Sequence, residues 1–130
     1  MTLASGRILI VDDEPSLLKM MSVYLSRLGF QVSTAGTTEK AWSDVEAAPG
    51  EFAVVVLDAT MTGIPLDELA RRMLTASGRL CVLAASGYPV DMSALAESAP
   101  GRVAFLHKPF SPEMLAAAVR RMLGAEEESV

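Results

Sequence analysis

Four short apolar runs in the sequence each end on a polar residue that can take part in chemistry. ILIV is followed by Asp12 and Asp13, VVVL by Asp58, CVLAA by Ser86, and VAFLH by Lys108. Because the carboxyl ends of parallel strands lie along one edge of a sheet, these residues should converge on one crevice. That crevice would hold three carboxylates, a hydroxyl and an ammonium group.

Three neighbouring carboxylates repel one another and raise one another's pKa values unless a positive charge compensates them. Hard oxygen ligands without a His or Cys cluster favour Mg²⁺, which usually takes one or two carboxylates together with phosphate oxygens. Asp58 could then form an acyl phosphate, with the Lys108 ammonium balancing charge on the transferred group and Ser86 hydrogen-bonding the product. The residue types therefore predict phosphoryl chemistry.

The composition limits the classes of protein to which the chain can belong. Its 130 residues are 51% hydrophobic, which suits one domain with an aliphatic core. A formal charge of -5 and the lack of a basic stripe predict no direct nucleic-acid binding. The apolar stretches are shorter than the ~20 residues of a membrane span, and MTLASGR at the N-terminus does not resemble a leader. With Cys81 as the only cysteine, we expect a cytoplasmic protein that does not enter the membrane.

Segments with the periodicity of strands alternate with segments with the periodicity of helices. Strands are predicted over residues 7–11, 30–35, 52–57, 80–85 and 103–107. Helices are predicted over about 15–28, from Thr37 or Thr38 to about 47, over 65–76 and 91–97, and from Pro112 to near Gly124. The alternation predicts an α/β fold, a doubly wound five-stranded parallel sheet of order 2-1-3-4-5 in a flavodoxin-like three-layer sandwich. Residues 125–130 are predicted to form an acidic C-terminal tail.

Taken together, the motifs resemble those of the response-regulator receiver domains of two-component signalling. The matching segments are the acidic pair in ILIVDDEP, the acceptor in VVVLDATMTG, the hydroxyl in LAASGYP and the lysine in FLHKPF. Each motif alone is weak, but the combination is highly specific. The resemblance covers about residues 7–124 and implies a receiver domain over residues 1–124.

The resemblance implies roles for individual residues of the acidic crevice. Asp58 would accept phosphate from a histidine kinase or a histidine phosphotransfer protein. Asp13, Asp58 and the backbone carbonyl of Thr60 would bind Mg²⁺ directly, and Asp12 would act mainly through water. Lys108 would pair with the phosphoryl group. The chain would then be a phosphoacceptor with at most self-phosphorylation and self-dephosphorylation activity, not a turnover enzyme.

The resemblance also implies how phosphorylation is read out and how long it lasts. Ser86 and Phe105 correspond to the switching hydroxyl and aromatic residue, and Thr60 and Tyr88 occupy positions that tune the lifetime of the phosphate. The peptide bond between Lys108 and Pro109 is expected to be cis. The SGYP segment is more similar to receivers attached to hybrid sensor kinases, so the partner that reads the switch could be a downstream protein target or a kinase core.

One position departs from the usual receiver pattern, and the residues present disfavour three alternative functions. Receivers more often have Pro where Thr62 stands, which predicts a less rigid loop after Asp58. A degenerate receiver that acts as a phosphorylation-independent interaction module would lack the acceptor or the lysine, and both are present. A haloacid-dehalogenase-type aspartyl-phosphate phosphatase needs an Asp two residues after its nucleophile, and Thr60 stands there. Nucleotide-binding modules need a glycine-rich loop after the first strand, where this chain has DDEPSL.

Overall fold

The computed structural model describes the backbone of residues 6–128 and the side chains of residues 6–124. Five strands and five helices alternate along this part of the chain. The strands are β1 (Arg7–Val11), β2 (Val32–Ala35), β3 (Phe52–Asp58), β4 (Cys81–Ser86) and β5 (Val103–His107). The helices are α1 (Pro15–Arg27), α2 (Thr38–Ala47), α3 (Leu66–Ala76), α4 (Ser93–Ser98) and α5 (Pro112–Glu128). All strand pairs are parallel and their order is β2-β1-β3-β4-β5, as the sequence predicts.

The sheet lies between two layers of helices, which confirms the three-layer sandwich. On β1, Ile8 and Ile10 pack towards α1 and α5, whereas Leu9 and Val11 pack towards α2, α3 and α4. All four side chains are buried, as are the side chains of the VVVL run in β3. Each such burial contributes about 1.5–3 kcal/mol. The two central strands are therefore held firmly from both faces, and so are the residues at their carboxyl ends.

The observed strands differ from the predicted ones by one or two residues, and the differences matter at the carboxyl edge. β3 extends through Asp58 and β4 through Ser86, so both residues are the last residues of strands. β2 begins at Val32 and not at Phe30. Gly29 has a φ of +100° at the end of α1, and the Phe30 amide donates to Leu25 O at 3.2 Å, so Phe30 still belongs to the helix termination.

Helix α4 begins two residues later than the sequence predicts and has only six residues. Asp91, predicted as its first residue, lies before it and accepts hydrogen bonds from Ser93 N at 3.0 Å and Ser93 Oγ at 2.6 Å. These two bonds lower the pKa of the Asp91 carboxyl below its usual value. Asp91 thus forms a turn before the helix, whose N-cap is Met92, and does not lie within it; short polar side chains commonly bond to the backbone two residues on.

Helix α5 is longer than predicted, and its predicted end near Gly124 is wrong. The helix continues to Glu128. A single glycine costs only about 1 kcal/mol in a helix, and the Ala and Glu residues that follow it are good helix formers. The backbone of residues 125–128 is therefore helical, and residues 129–130 of the predicted tail lie outside the described residues.

Arg102 ties the beginning of β4 to the end of α3. Its guanidinium donates to Leu80 O at 2.9 Å, to Leu74 O at 3.0 Å and to Ser77 O. A cation at a helix C-terminus satisfies carbonyls that have no partner within the helix. Arg102 therefore fixes the start of the strand whose other end carries Ser86.

None of the helices in residues 6–128 is long and apolar enough to cross a membrane. Residues 1–5 of the N-terminal segment, for which no leader is predicted, lie outside the described residues.

Candidate functional site

The predicted functional residues lie at the carboxyl ends of four neighbouring strands, β1, β3, β4 and β5, at one edge of the sheet. Backbone pairing continues to this edge: Ala59 N donates to Ala85 O at 2.8 Å, and Lys108 N donates to Ser86 O at 2.8 Å. Asp58 is opposite Ala85 in the register of β3 and β4. Residues far apart in the sequence are therefore placed by the same ladder of hydrogen bonds, as the strand pattern predicts.

Three carboxylates meet at the carboxyl ends of β1 and β3. Asp12, Asp13 and Asp58 each offer an oxygen atom, and these atoms lie within 4.8 Å of one another. Asp12 and Asp58 are buried, with 4% and 8% of their surface exposed, whereas Asp13 is exposed. Carboxylate oxygens so close together fit a hard divalent cation such as Mg²⁺, because the ion offsets their mutual repulsion.

The Asp58 carboxylate is hydrogen-bonded on one side. Its Oδ1 atom accepts from Thr60 N at 3.1 Å, from Thr60 Oγ1 at 2.9 Å and from Lys108 Nζ at 3.1 Å. Among the described residues, no donor is bonded to the Oδ2 atom. The lone pairs of Oδ2 are therefore available to a metal ion or to an electrophile.

The Lys108 ammonium lies between two of the three acids. Its Nζ atom is 3.1 Å from Asp58 Oδ1 and 3.9 Å from Asp12 Oδ2. The Lys108–Pro109 peptide bond is cis, the isomer that the resemblance implies. One ammonium against three carboxylates leaves an excess of negative charge, so the site can take up further positive charge.

Asp12 differs from Asp13 in its surroundings as well as in its burial. Its Oδ1 atom accepts a hydrogen bond from Glu14 N at 3.0 Å. Burial raises the pKa of the Asp12 carboxyl, the Asp58 and Asp13 charges raise it further, and the Glu14 amide and the Lys108 ammonium partly oppose the rise. Ionised Asp12 is thus a destabilising charge when no cation is bound.

Asp12→Asn is expected to raise the melting temperature of the metal-free protein by a few degrees at neutral pH. The pKa of folded Asp12 lies above its unfolded value of 3.8. The stability that neutral Asp12 contributes is therefore complete below the unfolded pKa and is lost as pH rises through the folded pKa. Thermal melts in EDTA across acid and neutral pH test this. A stabilisation by Asn that persists unchanged in acid would contradict this explanation.

Ser86 lies fully buried at the end of β4. Its Oγ atom accepts a hydrogen bond from Tyr88 N at 3.2 Å, which leaves the hydroxyl proton for another acceptor. A Cβ atom added at Gly87 would meet nothing within 4 Å, so there is open space beside the loop. The Tyr88 side chain is 58% exposed and lies at the surface.

Phe105 lies on the edge strand β5 and points away from the buried Leu106. It is 36% exposed. Its ring meets the His107 ring edge to face, with centroids 6.4 Å apart and an interplanar angle of 88°. The His107 Nδ1 atom is 2.6 Å from the carbonyl oxygen of Lys108. The aromatic residue is therefore outward in this structure and lies close to the segment that carries the lysine.

Thr38 anchors the loop after Asp58. The sequence offers Thr37 and Thr38 as alternative N-caps of α2, and the structure gives them different roles. The cap of α2 is Thr37, whose Oγ1 atom accepts from Lys40 N at 3.0 Å. Thr38 Oγ1 instead accepts from Ile64 N at 2.9 Å and lies 3.4 Å from Thr62 O. No local pattern could reveal these contacts, because they join residues about 25 positions apart in the sequence.

Comparisons with known proteins identify the family and the fold. The family model described as the response regulator receiver domain matches residues 8–120. The DNA-binding response regulator MtrA of Mycolicibacterium smegmatis is 32% identical over 123 residues, which are 94% of this chain and 52% of MtrA. The chain spans about half the length, or less, of the curated relatives it matches.

Two solved structures show the same fold. The receiver domain of the hybrid histidine kinase CckA is 30% identical, with a TM-score of 0.77 over 91% of this chain and 99% of that one. The chemotaxis protein CheY4 of Vibrio cholerae is 26% identical, with a TM-score of 0.77 over 92% of this chain and 100% of that one. With the family match and the convergent strand ends, these likenesses show that the chain belongs to the response regulator receiver domains of two-component systems.

Proposed function

We propose that the receiver takes a phosphoryl group from a phosphohistidine onto Asp58. The donor would be a histidine kinase or a histidine phosphotransfer protein in the cytoplasm. The observation that carries the proposal is the Asp58 carboxylate itself, buried at the end of a central strand, 3.1 Å from the Lys108 ammonium and within 4.8 Å of two further acids. A carboxylate oxygen of Asp58 attacks phosphorus, the bond from phosphorus to the imidazole nitrogen breaks, and that nitrogen keeps the electron pair.

The residues around Asp58 fit a Mg²⁺ site. Asp13, Asp58 and the carbonyl of Thr60 would bind the ion directly, and Asp12 would act mainly through water. Two observations support this division: Asp13 is exposed, and Asp12 already accepts a hydrogen bond from Glu14 N. Bound Mg²⁺ would neutralise charge on the transferred group.

Lys108 and Thr60 would orient the acceptor before transfer and hold the product afterwards. Both donate to Asp58 Oδ1 in the unmodified protein, so they fix the plane of the carboxylate, and no donor within the described part of the chain is bonded to Oδ2. The Lys108 ammonium can then pair with an oxygen of the phosphoryl group without a large movement. Thr60 and the exposed Tyr88 would control access of water and hence the lifetime of the acyl phosphate.

Incubation with acetyl phosphate tests the function. We expect intact-mass measurement to show uptake of one phosphoryl group with Mg²⁺ and almost none in EDTA. The adduct should be cleaved by hydroxylamine, because acyl phosphates are labile to it and phosphate esters of serine are not. Uptake that survives both EDTA and hydroxylamine would contradict the proposal.

Thr60 also bears on the alternative of a phosphatase. Its hydroxyl donates to the Asp58 carboxylate, so a hydrogen-bond donor occupies the position where that class of enzyme needs an acid and base. The contact between Asp58 and Lys108 likewise favours a phosphoacceptor over a phosphorylation-independent interaction module.

Ser86 and Phe105 would convert phosphorylation into a change of surface. New acceptor oxygens on Asp58 would draw in the Ser86 hydroxyl, and the outward Phe105 could then turn inward. This would repack α4, β5 and α5 by biasing an existing equilibrium. A downstream protein target or a kinase core would read that surface.

Ser86→Ala is expected to take phosphate but to lose most of the response, since it lacks the hydroxyl that the phosphoryl group recruits. Lys108→Ala should respond poorly too and react about 10²–10³-fold more slowly. NMR of free and beryllofluoride-bound protein measures the response, with Ser26→Ala, an exposed serine on α1, as the control. Two results would contradict the switching mechanism. One is that chemical-shift changes reach residues 88–106 in Ser86→Ala as fully as in wild type. The other is that the changes in wild type are confined to the loops around Asp12, Asp58 and Lys108.

A further inference from the structure

We infer that Thr38, the first residue of α2, is a positioning residue for the phosphoacceptor site. Its hydroxyl holds the loop of residues 59–65 in the conformation that brings Thr60 against Asp58. Hydrogen bonds and close packing between Thr38 and the loop hold this conformation. The consequence for Mg²⁺ and phosphate rests on the proposed function.

Thr38 is a buried polar residue whose hydroxyl contacts both the loop and its neighbour Glu39 on α2. It is 3% exposed. Its Oγ1 atom accepts from Ile64 N at 2.9 Å, and its single proton faces Glu39 Oε1 at 3.2 Å and Thr62 O at 3.4 Å. The hydroxyl therefore accepts a hydrogen bond from the loop amide of Ile64, while Glu39 and the loop carbonyl of Thr62 compete for its one proton.

The loop passes so close to Thr38 that only glycine fits at the point of contact. Gly63 has a φ of +104°, in the left-handed region. A Cβ atom at this position would lie 2.3 Å from Thr38 Oγ1 and 2.8 Å from Glu39 Oε2. The loop is hydrogen-bonded to Thr38 on both sides of Gly63, and there is no space for a side chain at Gly63 itself. The loop therefore packs against the beginning of α2 in one defined position.

The anchored loop connects directly to the site. Thr60 is in its first half and makes two hydrogen bonds to Asp58 Oδ1. A small cavity beside the loop is lined by Thr38, Asp58, Met61 and Ile64, among others. The anchoring residue and the phosphoacceptor are therefore packed around the same cavity. Fixing Ile64 at one end and Asp58 at the other limits the conformations of Thr60 between them.

Fixing Thr60 matters because its carbonyl is a proposed Mg²⁺ ligand and its hydroxyl orients the acceptor. A group held in place beforehand loses little freedom when it binds, whereas a mobile group must first be ordered. Without the Thr38 hydroxyl, the Ile64 amide would lose its partner, and a lost hydrogen bond of this kind corresponds to about a three- to tenfold change in an equilibrium.

Two adjacent threonines allow this role to be separated from stabilisation of the helix. Thr37 caps α2 through Lys40 N and makes no hydrogen bond to the loop among the described residues. Thr38 bonds to the loop instead. Thr37→Ala should therefore weaken the start of α2 without freeing the loop.

The test compares Thr38→Val, which keeps the shape and loses the hydroxyl, with Thr38→Ser, which keeps the hydroxyl, and with Thr37→Ala. We expect Thr38→Val to speed hydrogen exchange at the Ile64 amide about tenfold and to weaken Mg²⁺ binding about three- to tenfold, as measured by NMR and by calorimetric titration. Thr38→Ser should restore both to near the wild-type values, and Thr37→Ala should leave both nearly unchanged.

Unchanged exchange at Ile64 in Thr38→Val would overturn the anchor, and so would equal effects of Thr37→Ala and Thr38→Val. Faster exchange with unaltered Mg²⁺ affinity would overturn its role in positioning the site. If wild-type protein binds no Mg²⁺, the metal site of the proposed function fails and the positioning role fails with it, whereas the exchange data still decide whether the anchor exists.

Discussion

Asp58→Asn is expected to abolish phosphate uptake from acetyl phosphate. The amide keeps the size of the carboxylate, and its oxygen can still accept from Thr60 and Lys108, so the fold should be retained. It lacks the nucleophilic carboxylate oxygen, so no acyl phosphate can form. We expect incorporated phosphate to fall to background, a loss larger than that for any other single substitution in the chain.

The matched control for this substitution is Asp67→Asn. Asp67 is an exposed acid on α3, and its nearest cation, Arg71, is 3.9 Å away. This variant makes the same chemical change outside the acidic crevice and should take phosphate like wild type. Uptake by Asp58→Asn at the wild-type level would show that Asp58 is not the acceptor.

Asp13→Ala is expected to abolish tight Mg²⁺ binding, whereas Asp12→Ala should weaken it less. The first removes a direct ligand, and we expect a loss of affinity of about 100-fold or more. The second removes a carboxylate that acts through water, and the expected loss is about tenfold. Calorimetric titration with MgCl₂ measures both.

Thermal stability gives a second readout of the same difference. A cation at a hundredfold excess over its Kd stabilises the folded state by about 2.7 kcal/mol. Added Mg²⁺ should therefore raise the melting temperature of wild type and, less strongly, of Asp12→Ala, but barely that of Asp13→Ala. The two substitutions remove the same carboxylate group from neighbouring positions, so each is a control for the other. Equal Mg²⁺ affinities in the two variants would show that the assignment of Asp13 as the direct ligand is wrong.

Much of the fold could be predicted from the sequence, because the position of a strand in the sheet determines its pattern of apolar and polar residues. The continuous VVVL run marks a central strand that is buried on both faces, and the alternating FQVSTA run marks the edge strand β2. Helix ends were harder to predict. The start of α4 depends on whether Asp91 joins the helix or forms a turn before it, and the end of α5 on whether a glycine stops a run of good helix formers.

Some features of the site could likewise be predicted from the sequence, and others could not. Asp12, Asp13, Asp58 and Lys108 could be predicted because each follows an apolar strand and parallel strands end on one edge. The role of Thr38 could not be predicted, because its hydroxyl meets the loop only when α2 and β3 are packed together. Nor could the sequence reveal that Thr60 and Lys108 both bond to the same oxygen of Asp58, since this depends on the rotation of one carboxylate.

The most direct test of the central proposal is to identify the residue that carries the phosphoryl group. Reduction of the phosphorylated protein with borohydride converts an acyl-phosphorylated aspartate into homoserine, and peptide mass spectrometry then locates that residue. We predict homoserine at position 58 alone, and only in samples that received both acetyl phosphate and Mg²⁺. Homoserine at Asp12 or Asp13, or an unreduced phosphate ester on Ser86, would contradict the account.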